Sequence, residues 1–230
     1  MLKVNDLRCG YGDLDVIRGV SFELKDNEIK VLLSLNGGGK TTLLKTLSGL
    51  IPIKGGNIFL DDVDISHSSP RERVKHGMLY IPEWGVFPSL TVKENLIIAA
   101  STIRGRNRYD VEGALTHFPD LKNRLSDKAG SLSGGQRKML MLAMAAVSGA
   151  KVLLMDEPSS GLSPSYVDKV IETIKILKDE GMTFLIAEQN SSFSEISDEL
   201  MILELGSIVL KGKYENIKRN DEIKRKFFSL

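Results

Sequence analysis

Two short stretches of this chain carry residue types whose spacing suits chemistry on phosphate. Ser34-Leu35-Asn36-Gly37-Gly38-Gly39-Lys40-Thr41 nearly satisfies the phosphate-loop pattern G-x-x-x-x-G-K-[ST]. Small residues let backbone N–H groups wrap phosphate oxygens, and a helix beginning at the end of the loop favours the anion through its dipole. In that arrangement Lys40 reaches the β- and γ-phosphates and the Thr41 hydroxyl ligates Mg²⁺. The plainer alternative is a glycine-rich turn with an incidental lysine. An apolar strand before the loop and a helical pattern after it favour the phosphate reading. Ser34 stands where the pattern has its first glycine; if that position needs a positive φ, serine costs roughly 1–2 kcal/mol there.

The second stretch is Val152-Leu153-Leu154-Met155-Asp156-Glu157, an apolar strand ending in two carboxylates. Open parallel sheets bind ligands at the C-terminal ends of their strands. Neighbouring strand residues point to opposite faces, so the two acids need not share a task. Asp156 suits a metal shell, and Glu157 suits taking a proton from an attacking water. Pro158 is expected to hold Glu157 extended. A solvated acidic turn is the ordinary alternative, and a phosphate loop upstream reduces its weight.

The elements that must position these groups follow from hydrophobic periodicity. Residues 31–33 read as a buried strand and 42–50 as a helix, with Pro52 and Gly55-Gly56 expected to end it. Residues 2–7, 16–24 and 57–60 read as strands, with Gly10 and Gly12 marking a turn. Helical spacing covers 92–103, 111–118 and 137–147, with the basic run Arg104, Arg106 and Arg108 in a loop. From residue 151, strand 152–155, helix 165–180 and strand 183–187 restore the alternation. The fold class is therefore α/β, with a parallel sheet covered on both faces. The helical middle reads as an insertion at about 84–148 within one domain.

Composition bounds the rest. The 230 residues are 42% hydrophobic and 27% charged, as in ordinary globular chains and unlike disordered ones. A net charge of +1 provides no global field toward nucleic acid or an anionic membrane. Cys9, the single cysteine, rules out an internal disulfide and reads as a small buried apolar residue. No stretch approaches the ~20 apolar residues that span a bilayer, and no charged leader precedes an apolar segment. Action on a membrane would therefore run through partners. His67, His76 and His117 lack metal-ligand spacing. The methionines between Met139 and Met144 read as core packing on a helix.

Leu132-Ser133-Gly134-Gly135-Gln136, followed by Arg137, is by its residues another anion-binding turn: Ser133 can cap a helix, and the glycines leave amides accessible. The pentapeptide resembles the signature sequence of ABC ATPases. With the phosphate loop before it and Asp156-Glu157 after it, the resemblance covers nearly the whole chain. It implies a P-loop NTPase (RecA-like) core with an N-terminal antiparallel β subdomain and an α-helical, signature-bearing insertion, forming one ABC ATPase domain over 1–230.

Further positions follow from the resemblance. Tyr11 matches the aromatic on which adenine stacks. Glu83 stands in place of the usual glutamine, and Gln189 in place of the usual histidine. Ser159-Ser160-Gly161-Leu162-Ser163 matches the loop that crosses the dimer interface. Pro82-Glu83, the stretch 161–164 and Glu188-Gln189-Asn190 look like the ATP-binding subunits of branched-chain amino-acid importers, whereas Trp84-Gly85 and Ser163 differ from typical members.

The resemblance implies MgATP hydrolysis. Ser34, Leu35, Asn36, Gly37, Gly38, Gly39, Lys40, Thr41 and Thr42 would cradle the phosphates. Thr41, Asp156 and Glu83 would form the metal shell, Glu157 would polarise water, and Gln189 would orient it. Ser133, Gly134, Gly135 and Gln136 would act in trans across a head-to-tail dimer with a second ATPase subunit, a copy or a paralogue. Transmembrane permease subunits, and indirectly an extracytoplasmic solute-binding protein, complete the implied assembly at the cytoplasmic face of the membrane. Two other classes compete: a low-turnover regulatory subunit, which retention of Lys40, Asp156 and Glu157 disfavours, and an ABC ATPase acting on nucleic acid. The short, balanced chain disfavours the latter; its basic tail, 218–226, is interrupted by acids and reads as a solvated face. Amides or other small solutes remain alternative cargoes.

Overall fold

The computed structural model describes residues 1–103 and 109–228; the basic run at Arg104, Arg106 and Arg108 lies outside them. Among the described residues the strands form two sheets. β1 (Leu2–Tyr11), β2 (Leu14–Leu24), β4 (Ile53–Leu60) and β5 (Val63–Asp64) make an antiparallel sheet in the order β2-β1-β4-β5. The larger sheet runs β10-β9-β3-β8-β7-β6, from β3 (Ile29–Leu33), β6 (Met78–Ile81), β7 (Val152–Asp156), β8 (Thr183–Glu188), β9 (Glu199–Glu204) and β10 (Ser207–Gly212). It is parallel except for β10 at its edge.

Every residue of β3, β7 and β8 is buried, as strands covered on both faces must be. Their alternation feeds two cores. Val31, Leu153, Met155, Phe184 and Ile186 face one that includes Leu96, Phe118 and Leu140. Leu32, Leu154, Leu185 and Ala187 face the other, with Leu2, Leu43 and Leu47. One face of the central sheet thus packs on the helical middle of the chain, and the opposite face on the antiparallel sheet and first helix.

Helix α1 (Lys40–Leu47) follows β3 directly. It ends earlier than the periodicity suggests. Gly49 adopts φ 82°, and the Gly49 and Leu50 amides turn back to Thr46 O and Lys45 O, a glycine-based helix stop. Gly55 and Gly56 instead lie inside β4, where the pairing register with β1 shifts. Gly10 likewise belongs to β1. On α2 (Pro70–Lys75), the buried Arg73 guanidinium donates to Thr46 O and Leu47 O, placing a cation on the carbonyl end of α1.

Between β6 and β7 stand α3 (Val92–Ala100), α4 (Val111–Ala114), α5 (Pro119–Lys122) and α6 (Gly134–Val147). Ser69, Thr91 and Ser133 each open a helix with a reciprocal capping box, to Glu72, Glu94 and Gln136. Met139 and Met141 are buried on α6, as core packing requires. α7 (Pro164–Asp179) follows β7 and buries Val167, Val170, Ile174 and Leu177. Cys9 is buried, in contact with the Thr46 hydroxyl at 2.9 Å. No helix among the described residues is long and apolar enough to cross a membrane.

Candidate functional site

The C-terminal ends of β3, β7 and β8 bring the two predicted stretches together. Ser34 N donates to Glu188 O at 3.0 Å and Glu157 N to Ala187 O at 2.9 Å, so both loops are anchored on the end of β8. The positive φ values in the phosphate loop fall on Gly37 (81°) and Gly39 (108°). Ser34 has none, so the strain conceivable for a serine there does not arise. Its buried hydroxyl donates to Leu35 O at 3.1 Å. Gly39 caps α1 without a side chain, leaving the helix N-terminus open to an anion. Among the described residues the amides of Asn36, Gly37 and Gly39 donate to no other backbone group, while Gly38 N closes a turn on Leu35 O. Leu35, Asn36 and Gly37 are exposed and Thr42 is buried within α1.

Lys40 is 4% exposed, yet its ammonium is fully engaged. Nζ donates to Ser34 O at 3.0 Å and Leu35 O at 3.3 Å, and pairs with Glu157 Oε1 at 3.1 Å. The two groups that the sequence assigned to phosphate and to water are therefore in contact.

Glu157 is not extended, as its position before Pro158 suggests, but lies at φ 46°. Such a conformation costs about 1–3 kcal/mol and persists only where surroundings over-determine it. Here they do: its amide is held by Ala187 O, and its carbonyl accepts from Ser160 N at 3.1 Å and Lys138 Nζ at 3.1 Å. Two tertiary hydrogen bonds, to Ala187 and Lys138, and the local turn to Ser160 together outweigh that preference.

Asp156 is 5% exposed, with Oδ2 accepting from the Tyr80 hydroxyl at 3.0 Å. Burial pushes its carboxyl above the usual range, countered by the nearby Thr41 and Tyr80 hydroxyls. Thr41 makes no well-directed hydrogen bond to Oδ1, which is buried without a partner among the described residues. An orphaned carboxylate oxygen beside a hydroxyl is an all-oxygen donor set that fits Mg²⁺. Glu83 is placed differently: its Oε1 accepts from Ser160 Oγ at 2.6 Å.

The remaining predicted residues divide. Tyr11 is 52% exposed at the end of β1, a ring available for stacking. Gln189 is exposed just beyond β8. Ser133 and Gln136 cap α6 reciprocally, Gly134 lies against Gly161, and Gly135 lies under the Tyr166 ring. No described hydrogen bond joins 133–136 to the phosphate loop of the same chain.

Three residues carry roles that sequence reasoning did not assign. Glu188, 1% exposed, accepts from Ser159 N, Ser159 Oγ, Gln189 N and Asn190 N at 2.7–3.0 Å, and burial still raises its pKa. Lys138 reaches both acidic loops from α6. Gly206, in the β9–β10 turn, donates to Gly38 O at 3.1 Å and accepts from Arg18 N at 2.8 Å. Only the last had a local signal, a glycine between two short apolar runs.

The family model described as ABC transporter matches residues 17–160. The chain belongs to the ABC transporter family. Its fold is that of an ATP-binding cassette, the part of these transporters that hydrolyses ATP to drive transport. Over 98% of the chain and 97% of the relative, it is 37% identical to a probable branched-chain amino acid transport ATP-binding protein, LivF, of Archaeoglobus fulgidus. It is 33% identical to the high-affinity branched-chain amino acid transport ATP-binding protein BraG of Pseudomonas aeruginosa, over 97% of each. A solved ATP-binding subunit of an ABC transporter superposes with TM-score 0.84 at 26% identity, covering 100% of both chains.

In this ABC cassette the β9–β10 turn is as much a part of the phosphate loop's support as α1. A Cβ on Gly206 would lie 1.8 Å from Val16 O, and its φ is 83°. Gly206→Ala is therefore expected to destabilise the protein by about 2–4 kcal/mol, from a left-handed side chain plus overpacking against backbone. Urea unfolding followed by circular dichroism measures this; an unchanged midpoint would remove the turn from the account.

Proposed function

We propose that this cassette energises an importer for branched-chain or other hydrophobic amino acids, working at the cytoplasmic membrane face with permease subunits and a second ATPase subunit. The observation that carries its ATPase chemistry is the meeting of Lys40, Asp156 and Glu157 at the ends of β3 and β7, beneath a loop with free amides. The amino-acid cargo is supported by the likeness to LivF and BraG across nearly full length. The whole chain acts as one domain, with the helical segment at about 84–148 inserted between β6 and β7.

A triphosphate entering residues 34–42 offers oxygens that compete with Ser34 O, Leu35 O and Glu157 for the Lys40 ammonium. As Lys40 turns to phosphate, the Glu157 carboxylate is released to accept a proton from water. Mg²⁺ carried with the nucleotide would be held by Thr41 and Asp156 and would neutralise phosphate charge. Glu83 holds Ser160 through Oε1, which leaves Oε2 to join that shell. Gln189, exposed beyond β8, can donate and accept hydrogen bonds to orient the water. Tyr11 offers its ring to adenine. Ser133 and the amides of Gly134 and Gly135 suit closure over a nucleotide held by another subunit, since they bond nowhere to their own phosphate loop.

Trp84 (68% exposed), Phe87 (48%), Ile97 (50%) and Ile98 (42%) form an apolar set on the Glu83 loop and α3, supporting permease docking there. In cells lacking this chain, uptake of labelled leucine, isoleucine and valine is expected to fall to background, and re-expression to restore it. Re-expression of the Trp84→Ser/Phe87→Ser variant should leave ATP binding intact but restore little uptake. Unimpaired uptake in the deleted cells would overturn the cargo assignment.

A further inference from the structure

We propose that Lys138 is a positioning residue that ties the signature helix to the backbones of both acidic loops. The turn that closes one nucleotide site and the glutamate that works at the other then move together. This rests on the proposed dimeric ATPase. Lys138 is the fifth residue of α6, two residues beyond the Ser133–Gln136 capping box. It is 7% exposed, and its ammonium donates to Glu83 O at 2.8 Å and Glu157 O at 3.1 Å. These carbonyls leave β6 and β7, respectively 55 and 19 residues away in sequence.

Burying an ammonium is costly and draws its pKa down. The carboxylates of Glu83, Glu188, Asp156 and Glu157 counter that by charge. None of them lies within ion-pair distance of Nζ among the described residues, so direction comes from the two carbonyls alone. The contact closes a circuit. Ser160 N also donates to Glu157 O, and Ser160 Oγ to the Glu83 carboxylate, so α6, the Glu83 loop and the Glu157 loop share one set of bonds. Because Glu157 lies at φ 46°, the Lys138 bond helps sustain the backbone conformation that aims its carboxylate.

Side-chain packing at this seam is compliant. A cavity of roughly 10 Å³ lies between α6 and β7, lined by Met141, Met155, Pro82 and Pro158 beside Lys138. Methionines adapt to shifting neighbours, so the lysine provides the directional link across the seam. Next along α6, Arg137 stacks over Trp84 at 5.7 Å and donates to Leu132 O at 2.9 Å. Two consecutive basic residues therefore hold the Glu83 loop, and Trp84, the chain's single tryptophan, reports on it.

The test compares wild type, Lys138→Met, which keeps the stem without donors, and Lys138→Arg. Each is assayed for binding of a fluorescent ATP analogue, for ATPase rate against ATP concentration, and for Trp84 emission on adding ATP. Lys138→Met is expected to bind nucleotide normally, lose kcat by about 10–100-fold, as fits loss of the charge-assisted hydrogen bonds that hold the Glu83 and Glu157 backbones, show a Hill coefficient reduced toward 1, and lose the Trp84 response. Lys138→Arg should recover part of kcat. Unchanged kcat and Hill coefficient in Lys138→Met would overturn the proposal, as would loss of nucleotide binding in parallel with kcat. If Lys138→Met fails to fold, Lys138→Gln replaces it, and wild-type kcat and cooperativity there overturn the proposal equally. A wild type that neither binds nor hydrolyses ATP would instead sink the ATPase reading itself.

Discussion

Glu157→Gln is expected to lower ATP hydrolysis by about 10²–10⁴-fold, the range for loss of a positioned general base, while nucleotide still binds. The amide keeps the shape of the side chain but cannot take a proton from water. It also removes the charge facing Lys40 at 3.1 Å, so the ammonium is freer to meet phosphate. Affinity for ATP should hold or rise as the rate collapses. Single-turnover hydrolysis and equilibrium binding of a fluorescent nucleotide separate the two effects. With hydrolysis blocked, ATP should also drive two chains together, visible by size-exclusion chromatography with light scattering. A variant as fast as wild type would remove Glu157 from the chemistry.

The opposite pattern is expected for Lys40→Ala. Truncation removes the cation from a site whose other phosphate donors are backbone amides, so ATP affinity should fall by about 10–100-fold, the worth of a charge-assisted contact. Ser34 O and Leu35 O lose their shared donor; water can replace it at exposed Leu35, whereas Ser34 is buried, so stability should fall by about 1–3 kcal/mol without loss of the fold. Isothermal titration with ATP and a thermal melt of the same sample decide this. If binding is unchanged, the loop is not the phosphate cradle; if the fold is lost, Lys40 is a structural lysine. The two variants also diagnose each other, because Lys40→Ala should mask the rise in affinity given by Glu157→Gln.

Much of this protein follows from local sequence alone. The phosphate loop, the acid pair and the Ser133 turn are contiguous in the chain, and each sits at a junction marked by a change of hydrophobic period. Backbone amides, helix dipoles and capping boxes are local physics, so the start of α1, the end of β7 and the cap of α6 could all be located from residue types. The α/β class followed in the same way, from apolar runs such as 152–155 and 183–187 set between helical patterns.

Tertiary structure decided what depends on partners distant in the chain. Glu157 turns to positive φ because Ala187 and Lys138 hold its backbone beside the local turn to Ser160, and no neighbour-by-neighbour rule sees the two distant bonds. Gly55 and Gly56 read as helix breakers, yet they sit inside β4 at its shifted pairing with β1. Lys138 looks like any basic residue on an amphipathic helix until two strands deliver carbonyls to it. Gly206 becomes a support for the phosphate loop only because β9 pairs with β3. Residue type and spacing determined which groups can act on a triphosphate. Which of them touch, and which are held in strained or buried states, was decided by contacts whose partners lie tens of residues apart.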